Sequence, residues 1–218
     1  MNDEIDKDIS FNSNNICNHC LRFDELISSR VFEGEEAKNK LNKTISMIKN
    51  KGNGKKYDCV IGVSGGVDST YVAFLTKKLG LRPLAVHLDN GWNSELAVQN
   101  LKNTLDKLEI DLYTHILNWN EFKKLQLAFL YASTPDGEIP TDHAIFATLW
   151  MIADRFNIKY IISGMNFRTE SISIPNWAYG HSDWFYIKDV FKKYSKSKLK
   201  DYPHFTPIYL FYLTFIRG

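Results

Sequence analysis

The apolar run Val60-Ile61-Gly62-Val63 leads into Ser64-Gly65-Gly66-Val67-Asp68-Ser69, and an amphipathic run from Tyr71 to Leu79 follows. That order reads as strand, tight glycine loop and helix start, and it constrains the fold more than any other stretch. Such a loop presents bare backbone N–H groups and the positive end of a helix to a phosphate. Two glycines let the backbone approach a ligand where a Cβ would obstruct it. Ser64 and Ser69 add hydroxyl donors. No Gly-Lys-Ser/Thr follows, so this is not a Walker A loop. A strand–turn–helix without a ligand is the plainer alternative, but six matching residues in this context argue against it.

The rest of the chain alternates in the same way. Strands are expected at 57–63, 83–89, 112–117 and 159–163, and helices at 69–80, 95–109, 121–131 and 142–156. Alternating β and α units predict an α/β fold with a doubly wound parallel sheet, helices on both faces and the ligand beyond the C-terminal strand ends. Asp142 is placed as the N-cap of the last helix, with Ala144, Ala147, Leu149 and Ile152 inward. Residues 1–30 hold few helix signals and one compact motif, Cys17-Asn18-His19-Cys20. A helix is expected over 33–50, with Leu41, Ile45 and Ile48 on one stripe. Lys51 to Lys56 reads as a linker, dividing a segment 1–54 from a domain 55–218.

Three strand ends converge on the expected site. Besides the glycine loop, they carry His87-Leu88-Asp89-Asn90-Gly91-Trp92 and Ser163-Gly164-Met165-Asn166-Phe167-Arg168-Thr169-Glu170. Asp68 either caps its helix or holds Mg²⁺ beside a pyrophosphate, since Mg²⁺ needs only one or two carboxylates plus phosphates. Asp89 binds nucleotide or metal, or caps a turn. His87 reads as a packed core histidine. Gly164 admits a nucleotide or ends a strand. Arg168 pairs with a phosphate or with Glu170. No serine–histidine–acid triad or general base stands out, which suits chemistry driven by positioning and charge neutralisation.

With 218 residues, a formal net charge of +2, 44% hydrophobic and 14% aromatic residues, the chain suits one α/β domain with an appendage. The small net charge argues against a general nucleic-acid binder. The Lys-rich stretches 49–56 and 188–200 read as a solvated linker and a solvated helix face. Residues 1–10 are acidic and polar, no signal peptide is expected, and no stretch reaches the length of a membrane span. Three cysteines do not suggest a secreted disulfide framework. A cytoplasmic protein is expected, and Cys59 is expected in the core.

The Ser64–Ser69 loop closely resembles that of the PP-loop ATP pyrophosphatases, whose fold is of the adenine nucleotide α-hydrolase type. These enzymes typically cleave ATP between the α and β phosphates, place AMP on a substrate oxygen, and let a nitrogen or sulfur nucleophile displace it. Ile16-Cys17-Asn18-His19-Cys20 after Ile9-Ser10-Phe11, Pro140-Thr141-Asp142-His143-Ala144-Ile145, Ile162-Ser163-Gly164-Met165-Asn166 and Thr169-Glu170 resemble one branch, the N-acetyl sugar amidotransferases of surface-polysaccharide and flagellin-glycan pathways. The resemblance spans roughly residues 9–205. It implies conversion of a sugar N-acetyl group to an acetamidino group. ATP and Mg²⁺ would be required, the acceptor would be a nucleotide-linked N-acetyl sugar, and a partner glutaminase/synthase pair would supply ammonia. Neither nucleic acid nor membrane is implied as a partner. It assigns Ser64, Gly65, Gly66, Val67, Asp68 and Ser69 to pyrophosphate, and Asp89, Gly164 and Asn166 to the nucleotide site. Asp68, Asp142, His143, Arg168 and Glu170 become the candidate catalytic residues.

Two departures from that family stand out. Its members usually carry a second CxxC upstream, completing a tetrahedral zinc site, whereas Cys17 and Cys20 supply two ligands and His19 lies between them with poor geometry for a third. Free thiols are the alternative. Members also continue beyond the apolar run Ile208–Ile216, so a shortened chain is expected, with that run packing on something further. Two other readings stand beside the amidotransferase: a tRNA-thiolating PP-loop enzyme and an inactive ATP-binding remnant.

Overall fold

The structure is a computed structural model and describes residues 3–170, 174 and 180–217. Its elements are α1 (Asn18–Arg30), α2 (Gly34–Lys51), β1 (Cys59–Gly62), α3 (Val67–Lys78), β2 (Pro83–Asp89), α4 (Glu95–Leu108), β3 (Leu112–Ile116), α5 (Trp119–Tyr131), α6 (Ile139–Arg155), β4 (Ile161–Ile162), α7 (Phe167–Glu170), α8 (Trp184–Tyr194) and α9 (Pro207–Phe211), with a π-helical turn at Tyr212–Ile216. Two compact units emerge. The smaller comprises residues 1–44 and 165–177, and the larger 45–164 and 178–218.

In the larger unit four strands form an all-parallel sheet in the order β3-β2-β1-β4. Successive residues of a strand point to opposite faces, and the core divides accordingly. Val60, Leu84 and Val86 pack with Leu149, Ile152 and Ala153 of α6. Ile61 and Ala85 face the other way, against Ala73 of α3 and Leu101 and Leu105 of α4. The central strands are therefore apolar on both sides, as a parallel sheet covered by helices requires. At the edge, β3 alternates between exposed and half-buried positions. A further cluster joins α5, α6 and α8 through Phe122, Leu125, Phe129, Ile139 and Ile187. The doubly wound parallel α/β architecture expected from the alternation is the one observed.

Several local expectations are corrected. Helix α1 occupies a stretch without helix signals: it buries no residue, so it carries no apolar stripe to read. Helix α6 starts three residues before Asp142, with Glu138 at the cap and proline in the first turn. Asp142 is not the N-cap, because its N–H donates to the Glu138 carbonyl at 2.9 Å. Strand β4 is only two residues long. The 51–56 stretch, a linker by composition, is tied down. Arg82 donates to the carbonyls of Lys55 (2.7 Å) and Gly52 (2.8 Å), and its Nε pairs with buried Asp58 at 3.3 Å.

Candidate functional site

A cleft of about 340 Å³ opens at the C-terminal ends of β1, β2 and β4, lined among others by Ser64, His87, Asn90, Asn93, Phe146 and Gly164. It lies between β1 and β4, where the connection from β1 runs to β2 on one side while the chain returns from β3 to β4 on the other, the switch point at which open α/β sheets bind ligands. Its volume falls within the roughly 300–1,000 Å³ of small-molecule sites.

The glycine loop forms one lip. Gly65 has φ +81°, and a Cβ there would fall 2.2 Å from the Ala97 carbonyl oxygen. Only glycine fits, so the backbone is set by α4 behind it rather than by a ligand. Gly66 precedes α3 without a side-chain cap, which leaves the first N–H groups of the helix to a ligand or solvent. Ser69 Oγ donates to the Gly66 carbonyl (3.1 Å) and accepts from Ser64 N–H (3.2 Å), and the two serine hydroxyls lie 3.3 Å apart. These bonds hold the loop curled around its own N–H groups, a nest for an anion. Val67 is 81% exposed and contributes backbone alone. Asp68 is exposed in the first turn of α3. One carboxylate beside two hydroxyls and a phosphate nest is a donor set that fits Mg²⁺ shared with a pyrophosphate. Gly164 seals the other side: a Cβ there would sit 3.5 Å from Ser69 N and 3.6 Å from Asp68 Cβ.

The β2 end is a hydrogen-bonded scaffold. Buried His87 donates from Nδ1 to the Val63 carbonyl at 2.8 Å, so Nε2 accepts from Asn93 Nδ2 at 3.3 Å. Asp89 Oδ1 accepts from Gly91 N–H and Asn93 Nδ2, both at 3.0 Å. Asp89 thus organises the turn beside the cleft, and His87 and Asn93 form part of its wall. Trp92 projects from this turn, 65% exposed. Its Nε1 donates to Gln126 Oε1 at 2.9 Å, and its ring meets Trp119 edge-on at 5.3 Å.

Helix α6 supplies the opposite wall through Ile145, Phe146, Thr148 and Leu149. Asp142 stands one turn earlier on the same helical face as Ile145 and Phe146. His181 lies between its carboxylate (3.4 Å) and that of Asp136 (3.2 Å). Burial pushes the Asp142 carboxyl above its ordinary range and His181 opposes the shift. His143 points away from the cleft. It is fully buried, bonded through Nδ1 to the His181 carbonyl at 2.7 Å, and enclosed by Trp184, Tyr202 and Phe205. Burial lowers its basicity.

Asn166, Arg168 and Glu170 belong to the smaller unit. There Asn166 N–H donates to Glu170 Oε2 (3.0 Å) and Arg168 Nη2 pairs with Glu33 Oε1 at 2.6 Å. Arg168 is therefore engaged in an ion pair, with Glu33 rather than Glu170. The cleft residues missed from sequence are Asn93 and the α6 wall. Of the residues expected inward on this helix, Leu149 both packs in the core and lines the cleft, whereas Ile145, Phe146 and Thr148 gave no signal that separates a cleft wall from a core face.

The cysteine motif lies in the smaller unit as well. Cys17 caps α1, its Sγ accepting from Cys20 N–H at 3.4 Å. His19 Nε2 is committed to Asp6 at 2.5 Å. Among the described residues no group of three or more Cys, His, Asp or Glu is placed to hold a metal; Cys17 and Cys20 supply two of the four ligands that a tetrahedral zinc site needs. Among the described residues no helix is long and apolar enough to cross a membrane.

Comparison with known proteins finds partial likenesses. Residues 38–127 match the family model of NAD synthase. Over 115 residues the chain is 31% identical to an uncharacterized protein of Methanocaldococcus jannaschii, covering 52% of this chain and 40% of that one. Over 112 residues it is 28% identical to a tRNA-specific 2-thiouridylase of Fusobacterium nucleatum, covering 48% and 32%. The chain thus spans less than half the length of either curated relative. Among solved structures, the NH3-dependent NAD synthetase of Campylobacter jejuni aligns with a TM-score of 0.42 and 18% identity, covering 57% of this chain and 55% of that one. The sheet, the glycine loop and the family match together make this a NAD synthase-like PP-loop fold.

Proposed function

We propose that the chain is an ATP pyrophosphatase that adenylates an oxygen of an acceptor, releasing pyrophosphate, and lets a nitrogen nucleophile attack the activated acceptor and displace AMP. The observation that carries this reading is the curled Ser64–Ser69 nest opening beside the switch-point cleft. A pyrophosphate fits the nest, with the Ser64 hydroxyl and the first α3 N–H groups as donors, while Ser69 braces the loop through the Gly66 carbonyl. The rest of the nucleotide occupies the cleft between the His87–Asn93 wall and the Phe146 wall. Mg²⁺, which neutralises phosphate charge when bound, would be held by Asp68. In-line attack on the α-phosphorus then needs an acceptor oxygen at the cleft mouth, with catalysis by positioning rather than by a general base.

The finer reading is an N-acetyl sugar amidotransferase, in which the acetamido oxygen takes AMP and ammonia displaces it. It rests on the Cys17–Cys20, Pro140–Ile145 and Ile162–Glu170 motifs. Trp92, exposed yet held by Gln126 and Trp119 beside two cleft asparagines, offers a pre-organised face for the C–H side of a sugar ring. The test is AMP release from ATP-Mg²⁺ and ammonium in the presence of a panel of UDP-linked N-acetyl sugars. Sugar-dependent release supports the reading. ATP binding with indifference to every sugar overturns the acceptor assignment while leaving the nucleotide site standing.

The likeness to a thiouridylase favours a second reading, in which the acceptor is a tRNA base. Saturable tRNA binding that weakens steeply with salt would support it.

A further inference from the structure

The two middle residues of Cys17-Asn18-His19-Cys20 are spoken for. Asn18 staples the preceding loop to α1: its Nδ2 donates to the Asp8 carbonyl (3.0 Å), its Oδ1 accepts from Ser10 N–H (3.1 Å), and its N–H donates to the Ser10 carbonyl (2.9 Å). Phe11 bridges Cys17 in antiparallel fashion. His19 is held by Asp6, which is 3% exposed. These contacts fix the loop and the helix start without engaging either sulfur, while Cys17 Sγ accepts from the Cys20 N–H at 3.4 Å. Cys17 is half-buried at the cap and Cys20 is exposed one turn later.

That placement has a chemistry. A cap residue and the residue three further on stand about one turn apart, and helix rise and radius put such Cα atoms about 5 Å apart, inside the Cα span a disulfide tolerates. A sulfur at the helix cap is favoured as thiolate by the backbone N–H it accepts and by the helix dipole. The second thiol stands next to it and can displace whatever the first has captured.

We propose that Cys17 and Cys20 form a thiol–disulfide exchange site, with Cys17 as the attacking sulfur, Cys20 as the resolving one, and low-molecular-weight disulfides as its oxidants. Cys17 thiolate attacks one sulfur of such a disulfide, breaking its S–S bond and expelling one thiolate. Cys20, deprotonated, attacks Cys17 Sγ, breaks the mixed disulfide and expels the second thiolate. The two cysteines lose two electrons and two protons, and the disulfide is reduced to two thiols. Nothing in this depends on the nucleotide cleft.

The test uses the whole purified chain, reduced, freed of reductant and placed in buffers of reduced and oxidised glutathione, then acid-quenched, alkylated and mapped by mass spectrometry. The expected product is lighter by two hydrogens and contains a Cys17–Cys20 disulfide, with Cys59, fully buried, still a thiol. In Cys20→Ser a glutathione adduct accumulates on Cys17. In Cys17→Ser the remaining Cys20 reacts at least about tenfold more slowly. Circular dichroism shows whether each variant keeps the helical content of the parent. Independent glutathionylation of both cysteines without an internal disulfide would overturn the proposal. So would a purified chain carrying one zinc that shields both thiols until a chelator removes it.

Discussion

Gly65 combines a left-handed backbone with a Cβ position 2.2 Å from a backbone oxygen of α4, while Gly164 leaves ordinary van der Waals space. The two glycines should respond differently to alanine. Gly65→Ala should lose about 1–3 kcal/mol of stability from backbone strain alone, and lose ATP binding because the loop must move. Gly164→Ala should change stability by less than about 1 kcal/mol. Urea unfolding and nucleotide titration of the two variants read both effects. His143 supplies a second residue-scale prediction. Its folded basicity is depressed by burial, with His204 adding to the effect and the His181 carbonyl and Asp183 opposing it. Its contribution to stability is therefore present above the ordinary histidine value of 6.5 and is lost as pH falls below it, because the unfolded chain takes a proton that the folded one refuses. The urea midpoint should fall between pH 7.5 and 5.5, and His143→Gln should flatten that fall. Equal slopes in parent and variant would contradict it.

At the scale of elements, the connection into the sheet depends on one side chain. Arg82 holds the carbonyls of Gly52 and Lys55 and pairs with Asp58. Arg82→Ala should cost about 1–3 kcal/mol by leaving buried polar atoms short of partners. It should also speed hydrogen exchange at residues 52–58 more than in β2. Composition alone read this stretch as a linker, since its glycines and lysines give no hint of an arginine arriving from beyond a helix. The same limit explains α1, which buries nothing, and the start of α6, where Pro140 in the first turn outweighed the capping preference of Asp142. Strands β1 and β2 were legible because they are apolar on both faces between glycine and polar punctuation. Strand β4 shrank to Ile161-Ile162, its expected flanks falling outside the ladder.

For the whole molecule, the topology places the nest and the cleft at one point: β1 sits between β2 and β4, and the residues after each strand meet beside α3. The nest was readable from six consecutive residues, whereas the cleft wall from α6 required the packing. The mouth carries an acceptor prediction. Trp92→Ala should raise the KM for a sugar acceptor by roughly tenfold, the loss of about 1.4 kcal/mol of contact, with ATP affinity unchanged. An effect on ATP alone would move Trp92 to the nucleotide.

The central claim is that ATP is cleaved between its α and β phosphates at the Ser64–Ser69 nest. Phosphorus NMR of ATP-Mg²⁺ turnover, with ammonium and the acceptor panel, tests it most directly. The account predicts AMP and pyrophosphate in equal amounts, with Ser64→Ala lowering the rate by roughly 10²–10³ as for a lost oxyanion donor. ADP and inorganic phosphate as products, or AMP release indifferent to Ser64→Ala, would contradict it.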